Sequence, residues 1–234
     1  MEVRTYPARV WRYQGIALVS GNEAAVVDPG MFPDEIEAMH DDLSSLTVTT
    51  VVITHSHQDH IRGWASFPGA EVITPQAVVD RPRTSRERIL DAATRLNQSR
   101  GVEDAPDLAY PEPDRTFTGE TSFPLGGNDV FCRFLPGHSI CTSVVWIPCI
   151  RTVLTADYLV EPGTPYCHHD AAQHLEALDG LERMVEEEGC TRAVPAHNGT
   201  REGADGVRAA IHADRQALLD LRDALDAHSD LPEG

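Results

Sequence analysis

The chain has 234 residues, of which 41% are hydrophobic and 24% charged, and its formal net charge at pH 7 is −18. This composition predicts one globular domain, residues 1–234, and argues against a disordered chain. The negative charge argues against nucleic acid or a membrane surface as partner, because both would repel it. No apolar run reaches the ~20 residues that cross a bilayer. Since the first residues also lack a signal peptide, we expect a cytoplasmic protein.

The basic and thiol residues narrow the chemistry further. All 19 basic residues are arginine, so a Schiff-base or P-loop lysine is excluded. The chain has five cysteines, an odd number, and no two of them form a C-x-x-C pair. This pattern predicts reduced, mostly buried thiols in place of a disulfide framework or a zinc ribbon.

Short apolar runs dominate the first third of the chain. The predicted strands here are residues 15–19, 24–27, 48–54 and 71–74. The first two are joined by a hairpin turn at 20–23. A helix is predicted to begin at Pro33, because apolar residues follow at helical spacing.

The segment at about 76–115 differs from the rest, because it predicts an arginine-rich helix at 85–100 and a proline-rich loop after it. Ile89, Ala92, Ala93 and Leu96 form one apolar face of that helix. The remaining predicted strands are 130–135, 143–147, 152–156 and 192–196, and the remaining helices are 170–188 and 207–225. This order predicts sheets flanked by helices, in an α/β or mixed (α+β) class with one helical insertion.

The segment Thr54-His55-Ser56-His57-Gln58-Asp59-His60 follows a predicted buried strand. Residues two apart in an extended segment point the same way, so His55 and His57 can converge on one ion. Asp59 and His60 follow where the chain turns and can serve a second ion. Imidazole and carboxylate groups suit Zn²⁺, and also Fe or Mn.

Three further candidates follow predicted strands: His138, Asp157 and His197. Taken singly, each is more typical of a turn or a helix cap. Together they recur at the carboxyl ends of strands, where α/β sheets tend to gather their sites.

This set resembles the metallo-β-lactamase-fold hydrolase superfamily, from about Gly15 to His197. The family's H-x-H-x-D-H is intact, and its strand-ending Asp is similar to Asp28 in Asp28-Pro29-Gly30. The resemblance implies a four-layer αββα sandwich with two divalent metal ions, with Zn favoured. It implies that His55, His57 and His138 hold the first ion. It implies that Asp59, His60 and His197 hold the second, with Asp157 bridging the two.

Two cations about 3.5–4 Å apart can share a hydroxide that attacks an acyl carbon. Asp59 could also accept the proton of that nucleophile and so act as a catalytic residue. Asp28 is either an acceptor that orients a ligand histidine or a turn former. These features predict a hydrolase of a small acyl compound: a thioester, a lactone or an ester.

The sequence differs from several branches of the family, and these differences narrow the expected activity. The bridging Asp157 and the missing leader disfavour antibiotic hydrolysis. Only 37 residues follow His197, so a short glyoxalase-II-like thioesterase is expected in place of a long one. Acyl-homoserine lactonases have a Tyr three residues after the bridging Asp, and that position is Val160 here. RNA-processing and flavodiiron branches need extra domains.

Candidate substrate contacts come from two segments. Arg81, Arg83 and Arg86 belong to the arginine-rich insertion, which is either a lid that binds an anionic substrate group or a solvated helix face. The other candidates lie near or just beyond Asp157, and they are Tyr158, Tyr166, His168 and His169. Asp170 is predicted to cap the helix that follows.

Two other functions use the same fold. The alternative enzyme is a persulfide-type dioxygenase with one iron held by two His and one Asp. The other alternative, a non-catalytic ligand-binding relative, is disfavoured because no ligand of the set is missing. A small-molecule substrate is the expected partner, and a homodimer would be compatible with the sequence.

Overall fold

The computed structural model describes residues 1–102 and 108–229, with side chains to residue 225. Two six-stranded sheets form the centre of the fold. The first sheet has the order β1-β2-β3-β4-β5-β6, with β1 Glu2–Pro7, β2 Gln14–Ser20, β3 Glu23–Val27, β4 Thr47–Val52, β5 Glu71–Pro75 and β6 Arg115–Phe117. The second has the order β12-β11-β10-β9-β8-β7, with β7 Glu120–Leu125, β8 Asn128–Phe134, β9 Ser143–Ile147, β10 Thr152–Ala156, β11 Arg192–Pro195 and β12 Arg201–Glu202.

Five helices accompany the sheets over the described residues: α1 Pro33–Asp42, α2 Gln76–Val79, α3 Arg83–Ser99, α4 Ala171–Glu186 and α5 Gly203–Ser229. The helices predicted at Pro33 and at 85–100, 170–188 and 207–225 are confirmed within a few residues. The cap predicted for α4 is also confirmed, since the Asp170 carboxylate accepts the Gln173 amide at 2.9 Å. None of the described helices is long and apolar enough to cross a membrane.

Successive side chains of a strand point to opposite faces of its sheet, and this alternation explains why the two sheets stack. In β2, Ile16 and Leu18 face the second sheet, whereas Ala17 and Val19 face helices. The core between the sheets also contains Phe123 and Val145 from the second sheet. The αββα sandwich implied by the resemblance is therefore the observed fold, with apolar layers on both faces of each sheet.

The helices cover the outer faces. Met39 of α1 and Val78 of α2 pack on the outer face of the first sheet. Leu178 and Leu181 of α4 and Ile211 of α5 pack on the outer face of the second. The predicted insertion therefore contains α2 and α3, between β5 and β6, while residues 103–107 of its proline-rich loop lie outside the described residues.

Parallel strand pairs decide where the site lies. Strands β3 and β4 run parallel in the first sheet, and β10 and β11 run parallel in the second. Asp28 follows β3 and the 54–60 segment follows β4, while Asp157 and His197 follow β10 and β11. Because neighbouring parallel strands end at one edge, each sheet gathers polar residues there.

Candidate metal centre

The structure brings all seven predicted ligands into two adjoining clusters at these strand ends. One cluster joins His55, His57, His138 and Asp157, and the other joins Asp59, His60 and His197. Within each cluster the ligand atoms lie within 4.8 Å of one another. The residues come from both sheets, so the site lies where the two layers meet.

Asp157 links the two clusters through its two carboxylate oxygens. Its Oδ2 lies 3.2 Å from His138 Nε2 and 3.8 Å from His55 Nε2. Its Oδ1 lies 3.1 Å from His60 Nε2 and 3.5 Å from His197 Nε2. One oxygen thus faces each cluster, an arrangement that suits a ligand shared by two ions.

Three histidines have their Nδ1 atoms engaged outside the clusters and so direct Nε2 into the site. His138 Nδ1 contacts the Tyr166 carbonyl, and His197 Nδ1 lies 3.0 Å from the Trp11 carbonyl. His60 Nδ1 lies 2.8 Å from Asp28 Oδ2. When Nδ1 carries the proton in such contacts, the Nε2 lone pair is left available to a metal ion.

The other two imidazoles complete the first cluster. His55 Nδ1 lies 3.0 Å from the Thr54 hydroxyl, and His55 Nε2 lies 3.1 Å from His57 Nδ1. His57 Nδ1 lies 3.0 Å from His138 Nε2. Three imidazole nitrogens therefore converge on a single point beside Asp157.

Buried polar atoms without hydrogen-bond partners test whether this cluster fits metal ions. Among the described residues, His60 Nε2 and Asp157 Oδ1 are buried and make no hydrogen bond of acceptable geometry, although they lie 3.1 Å from each other. An unsatisfied buried polar atom costs about 1–3 kcal/mol. Nitrogen and oxygen donors at such spacing suit Zn²⁺, Fe or Mn, so the residues present fit the implied ions.

Electrostatics keep the carboxylates ionised. Burial alone would raise the pKa of Asp157, but His60 and His138 lower it well below its usual range. Burial likewise opposes ionisation of Asp59, yet His60 and His197 lower its pKa. Both groups are thus available as anionic ligands at neutral pH.

Burial has the opposite consequence for two imidazoles. It lowers the pKa of His55 well below its usual value and that of His57 to about 3, with neighbouring imidazoles adding to the effect. Neutral imidazole is the form that ligates a metal. The first cluster is therefore prepared for metal binding without deprotonation of these two groups.

Asp28 holds the start of the ligand segment in place. One of its oxygens accepts the Thr54 amide at 2.8 Å, and the other accepts the Thr54 hydroxyl at 2.6 Å. The same second oxygen contacts His60 Nδ1. Of the two roles left open by the sequence, these contacts favour the orienting one.

Comparison with known proteins places this geometry in a family. The sequence model of the metallo-beta-lactamase superfamily matches residues 11–225. The chain belongs to the metallo-beta-lactamase superfamily. The matched residues include all seven members of the two clusters.

Curated relatives in this superfamily include hydroxyacylglutathione hydrolases. One from Tolumonas auensis is 30% identical over 118 residues, which cover 50% of this chain and 41% of that enzyme. Another from Vibrio vulnificus is 29% identical over 141 residues, which cover 56% of this chain and 55% of that enzyme. The chain thus spans about half the length of the curated relatives that it matches.

A solved structure supports the fold. A metallo-beta-lactamase family protein of Thermus thermophilus superposes with a TM-score of 0.70 at 22% identity. The superposition covers 99% of this chain and 84% of the other. At this identity the likeness establishes the shared fold alone.

An open cavity of about 470 Å³ lies above the two clusters of this superfamily member. Its floor contains ligand residues, namely His57, Asp59, Asp157 and His197. Its walls are formed by Trp11, Gln58, Ile89, Ala92, Tyr166 and His168. A substrate in this cavity would contact both clusters at once.

The predicted substrate contacts divide into two groups. Tyr166 and His168 line the cavity, whereas the exposed His169 is not among its lining residues. Tyr158 is fully buried: its hydroxyl donates to the Leu135 carbonyl at 2.6 Å and accepts the His138 amide at 3.1 Å. In place of the expected substrate contact, Tyr158 supports the turn that carries His138.

The three arginines of the insertion do not line the cavity. Arg83 pairs with Glu87 on an exposed helix face. Arg86 donates to the carbonyls of Arg81 and Val79 and lies over the Tyr110 ring. The insertion reaches the cavity through Ile89 and Ala92, two residues of the apolar face that the sequence predicted for this helix.

Two aromatic residues near the site had no signal in the sequence analysis. Tyr13 is fully buried and places its ring edge-on against His60 at 5.4 Å and His197 at 5.3 Å. Trp11 is 46% exposed at the cavity and supplies the carbonyl that His197 contacts. Both residues contact His197 at the far end of the sequence, and local sequence patterns do not reveal such contacts.

Proposed function

We propose that the protein is a dinuclear metal-dependent hydrolase of a small thioester. The observation that carries this proposal is the position of Asp157, whose two oxygens face the two ligand clusters beneath the cavity. The named activity of the hydroxyacylglutathione hydrolases, which cleave a thioester, supports the substrate class.

The ligand residues divide as the resemblance implies. His55, His57 and His138 would hold one ion, and Asp59, His60 and His197 the other, with Asp157 shared. When bound, the two ions would activate a water nucleophile and polarise the scissile carbonyl.

The protein's own residues then do three things. Asp59, on the cavity floor 3.2 Å from His197 Nε2, stays ionised and would orient the attacking water by accepting its hydrogen bond. Asp28 keeps His60 oriented through its contact with Nδ1. Trp11 and α3 shield the reacting centre from bulk water on one side.

The test is thioester hydrolysis by untagged protein whose metal content has been measured. Release of free thiol should be observed with two ions of Zn, Mn or Fe per chain. It should disappear after chelation and return on adding metal. Esters and lactones belong in the same panel, because a shared mechanism would cleave them too.

Two outcomes would contradict the proposal. A protein with two ions per chain that cleaves no member of the panel would refute acyl hydrolysis. A single iron per chain, with O₂ consumed on adding a persulfide, would assign the dioxygenase alternative. Asp214→Asn is the matched control for the loss of activity expected in Asp157→Asn, since Asp214 is a buried aspartate outside the clusters.

A further inference from the structure

Three residues that line the cavity above the clusters are apolar. Ile89 and Ala92 of α3 form one wall, and Trp11 forms another. Among the described residues that line the cavity there is no arginine, and the chain contains no lysine. A carboxylate of a substrate would therefore enter this space without a cationic partner.

The charge of the whole protein acts in the same direction. The net charge is −18, and Asp59 and Asp157 contribute two carboxylates to the cavity floor. A field of this sign lowers the local concentration of anionic ligands. Divalent ions bound to the clusters would offset the negative charge of Asp59 and Asp157. They would not add a cation to the walls formed by Trp11, Ile89 and Ala92.

Backbone strain at Trp11 points to a function for its side chain. Trp11 and Arg12 are consecutive residues with φ of 57° and 50°, in the left-handed region that costs a non-glycine residue about 1 kcal/mol or more. The Trp11 carbonyl contacts His197, so the turn serves the site through its backbone. Any side chain at position 11 would leave this carbonyl contact in place. The residue present is nevertheless a large apolar one, Trp11, which is 46% exposed and lines the cavity.

Three polar residues other than the metal ligands also line the cavity, namely Gln58, Tyr166 and His168, and burial lowers the pKa of His168. The Gln58 side-chain oxygen is buried and has no hydrogen-bond partner among the described residues. It lines the same cavity as Trp11 and Ile89. A single amide suits one uncharged hydrogen bond with a substrate, and it does not suit a pair of carboxylates.

We propose that the group this site accepts beside the scissile bond is uncharged and apolar, aromatic or branched alkyl, and that it packs between Trp11 and the Ile89–Ala92 face of α3. The inference rests on the proposed function and deepens it. It separates this chain from an enzyme that takes the anionic glutathione group named in its relatives.

The first experiment compares two thioesters with the same acetyl group. S-Acetyl benzyl mercaptan has a neutral aromatic leaving group, and S-acetylglutathione has an anionic one. We expect kcat/KM to be at least about 10-fold higher for the benzyl compound, because its ring fills the apolar walls. Equal or reversed preference in the wild-type protein would overturn the inference.

Variants then locate the preference. Trp11→Ala should lower kcat/KM for the benzyl compound about 5-fold more than for the glutathione compound, since only the benzyl compound loses a ring contact. Ala92→Arg should raise kcat/KM for the glutathione compound relative to the benzyl compound about 10-fold by supplying a cation. Gln98→Arg, on an exposed position of the same helix, is the matched control and should change neither.

Arginines elsewhere on α3 offer a competing explanation. Arg88 and Arg95 are exposed and lie one helical turn before and after Ala92. If the double variant Arg88→Ala/Arg95→Ala abolished activity on S-acetylglutathione while that substrate was the preferred one, the lid interpretation would replace ours.

A binding measurement separates this inference from the proposed function. The ketone 4-phenylbutan-2-one has the shape of the benzyl thioester but cannot be hydrolysed, and 5-oxohexanoate is an anionic counterpart. Calorimetric titration should give tighter binding of the phenyl ketone, which weakens in Trp11→Ala. Tighter binding of the phenyl ketone without any thioester cleavage would refute the proposed function but support the inference. Thioester cleavage with tighter binding of 5-oxohexanoate would support the proposed function but refute the inference.

Discussion

The Asp28 Oδ2 atom lies 2.8 Å from His60 Nδ1 and 2.6 Å from the Thr54 hydroxyl, so one carboxylate oxygen fixes two residues of the ligand segment. The pKa of His60 is raised well above its usual value, because Asp157, Asp59 and Asp28 outweigh the effect of burial. Asp28 itself has a φ of 46° and is buried at the end of β3. It connects the first sheet to the second cluster.

Asp28→Asn is expected to weaken binding of one metal ion about 10- to 100-fold, as loss of an outer hydrogen-bond partner does elsewhere. Asn tolerates a left-handed φ, so the substitution isolates the lost negative charge from any backbone effect. Metal content after dialysis against a graded chelator series measures this. Asp41→Asn, at an exposed position on α1, is the control, and equal retention in both variants would contradict the prediction.

Asp157→Asn should reduce the metal content to at most one ion per chain and abolish hydrolysis. The neutral amide cannot offer an anionic oxygen to each cluster, although its shape is the same. Inductively coupled plasma mass spectrometry on untagged protein gives the count. Two retained ions with full activity would refute the bridging role of Asp157.

Gly137→Ala should destabilise the protein and displace His138. A Cβ at this position would lie 2.5 Å from His174 Cα in the first turn of α4, which leaves no room for a methyl group. Overpacking against backbone costs about 1–3 kcal/mol, in addition to the strain of a φ of 146°.

Gly69→Ala is the matched control for that variant, because Gly69 has a φ of 88° and open space around it. It should show only the strain, about 1 kcal/mol. Thermal unfolding of the metal-free proteins compares the two. A Tm for Gly137→Ala equal to or above that of Gly69→Ala would show that the approach of α4 is not as close as the structure has it.

The stability of the fold should depend on pH through Asp214 of α5, which lies outside the metal clusters. Burial raises its pKa to about 6, although the Gly163 and Leu159 amides and Arg201 oppose this. An acid with a raised folded-state pKa stabilises the fold at low pH, and this contribution is lost as pH rises from about 4 to about 6.

Asp214→Asn removes this pH dependence, so the stability of the variant relative to wild type should rise by about 3 kcal/mol between pH 4 and pH 7.5. Denaturant unfolding at several pH values measures the difference. Asp220→Asn, at an exposed position on the same helix, should show no such trend. A difference between Asp214→Asn and wild type that is constant with pH would exclude Asp214 as its source.

Much of the sandwich could be predicted from alternation and helical spacing, because those patterns are local. The predicted strands at 15–19, 24–27, 143–147 and 152–156 coincide with β2, β3, β9 and β10. The four edge strands β1, β6, β7 and β12 were missed. Strands β6 and β12 have only three and two residues, β1 is only partly buried and β7 contains Pro124, so none of them shows a clean apolar pattern.

The seven clustered residues could be predicted because ligand chemistry and strand ends coincide in the sequence. The direction of individual side chains could not. Tyr158 follows Asp157 directly, but Ala156 has a φ of 50° and the chain turns there, so adjacent side chains diverge. Trp11 and Tyr13 reach the site only because the loop at 8–13 docks beside β11, through the bridge between Tyr13 and His197.

The clusters have donors from both layers of the sandwich, since the 55–60 segment belongs to the first sheet and His138, Asp157 and His197 to the second. Ions held there would add ionic cross-links between two sheets whose shared core is apolar. Ligand binding to the folded state adds its own free energy to stability, in proportion to the logarithm of free metal. The free energy of unfolding would therefore rise and fall with the metal supply.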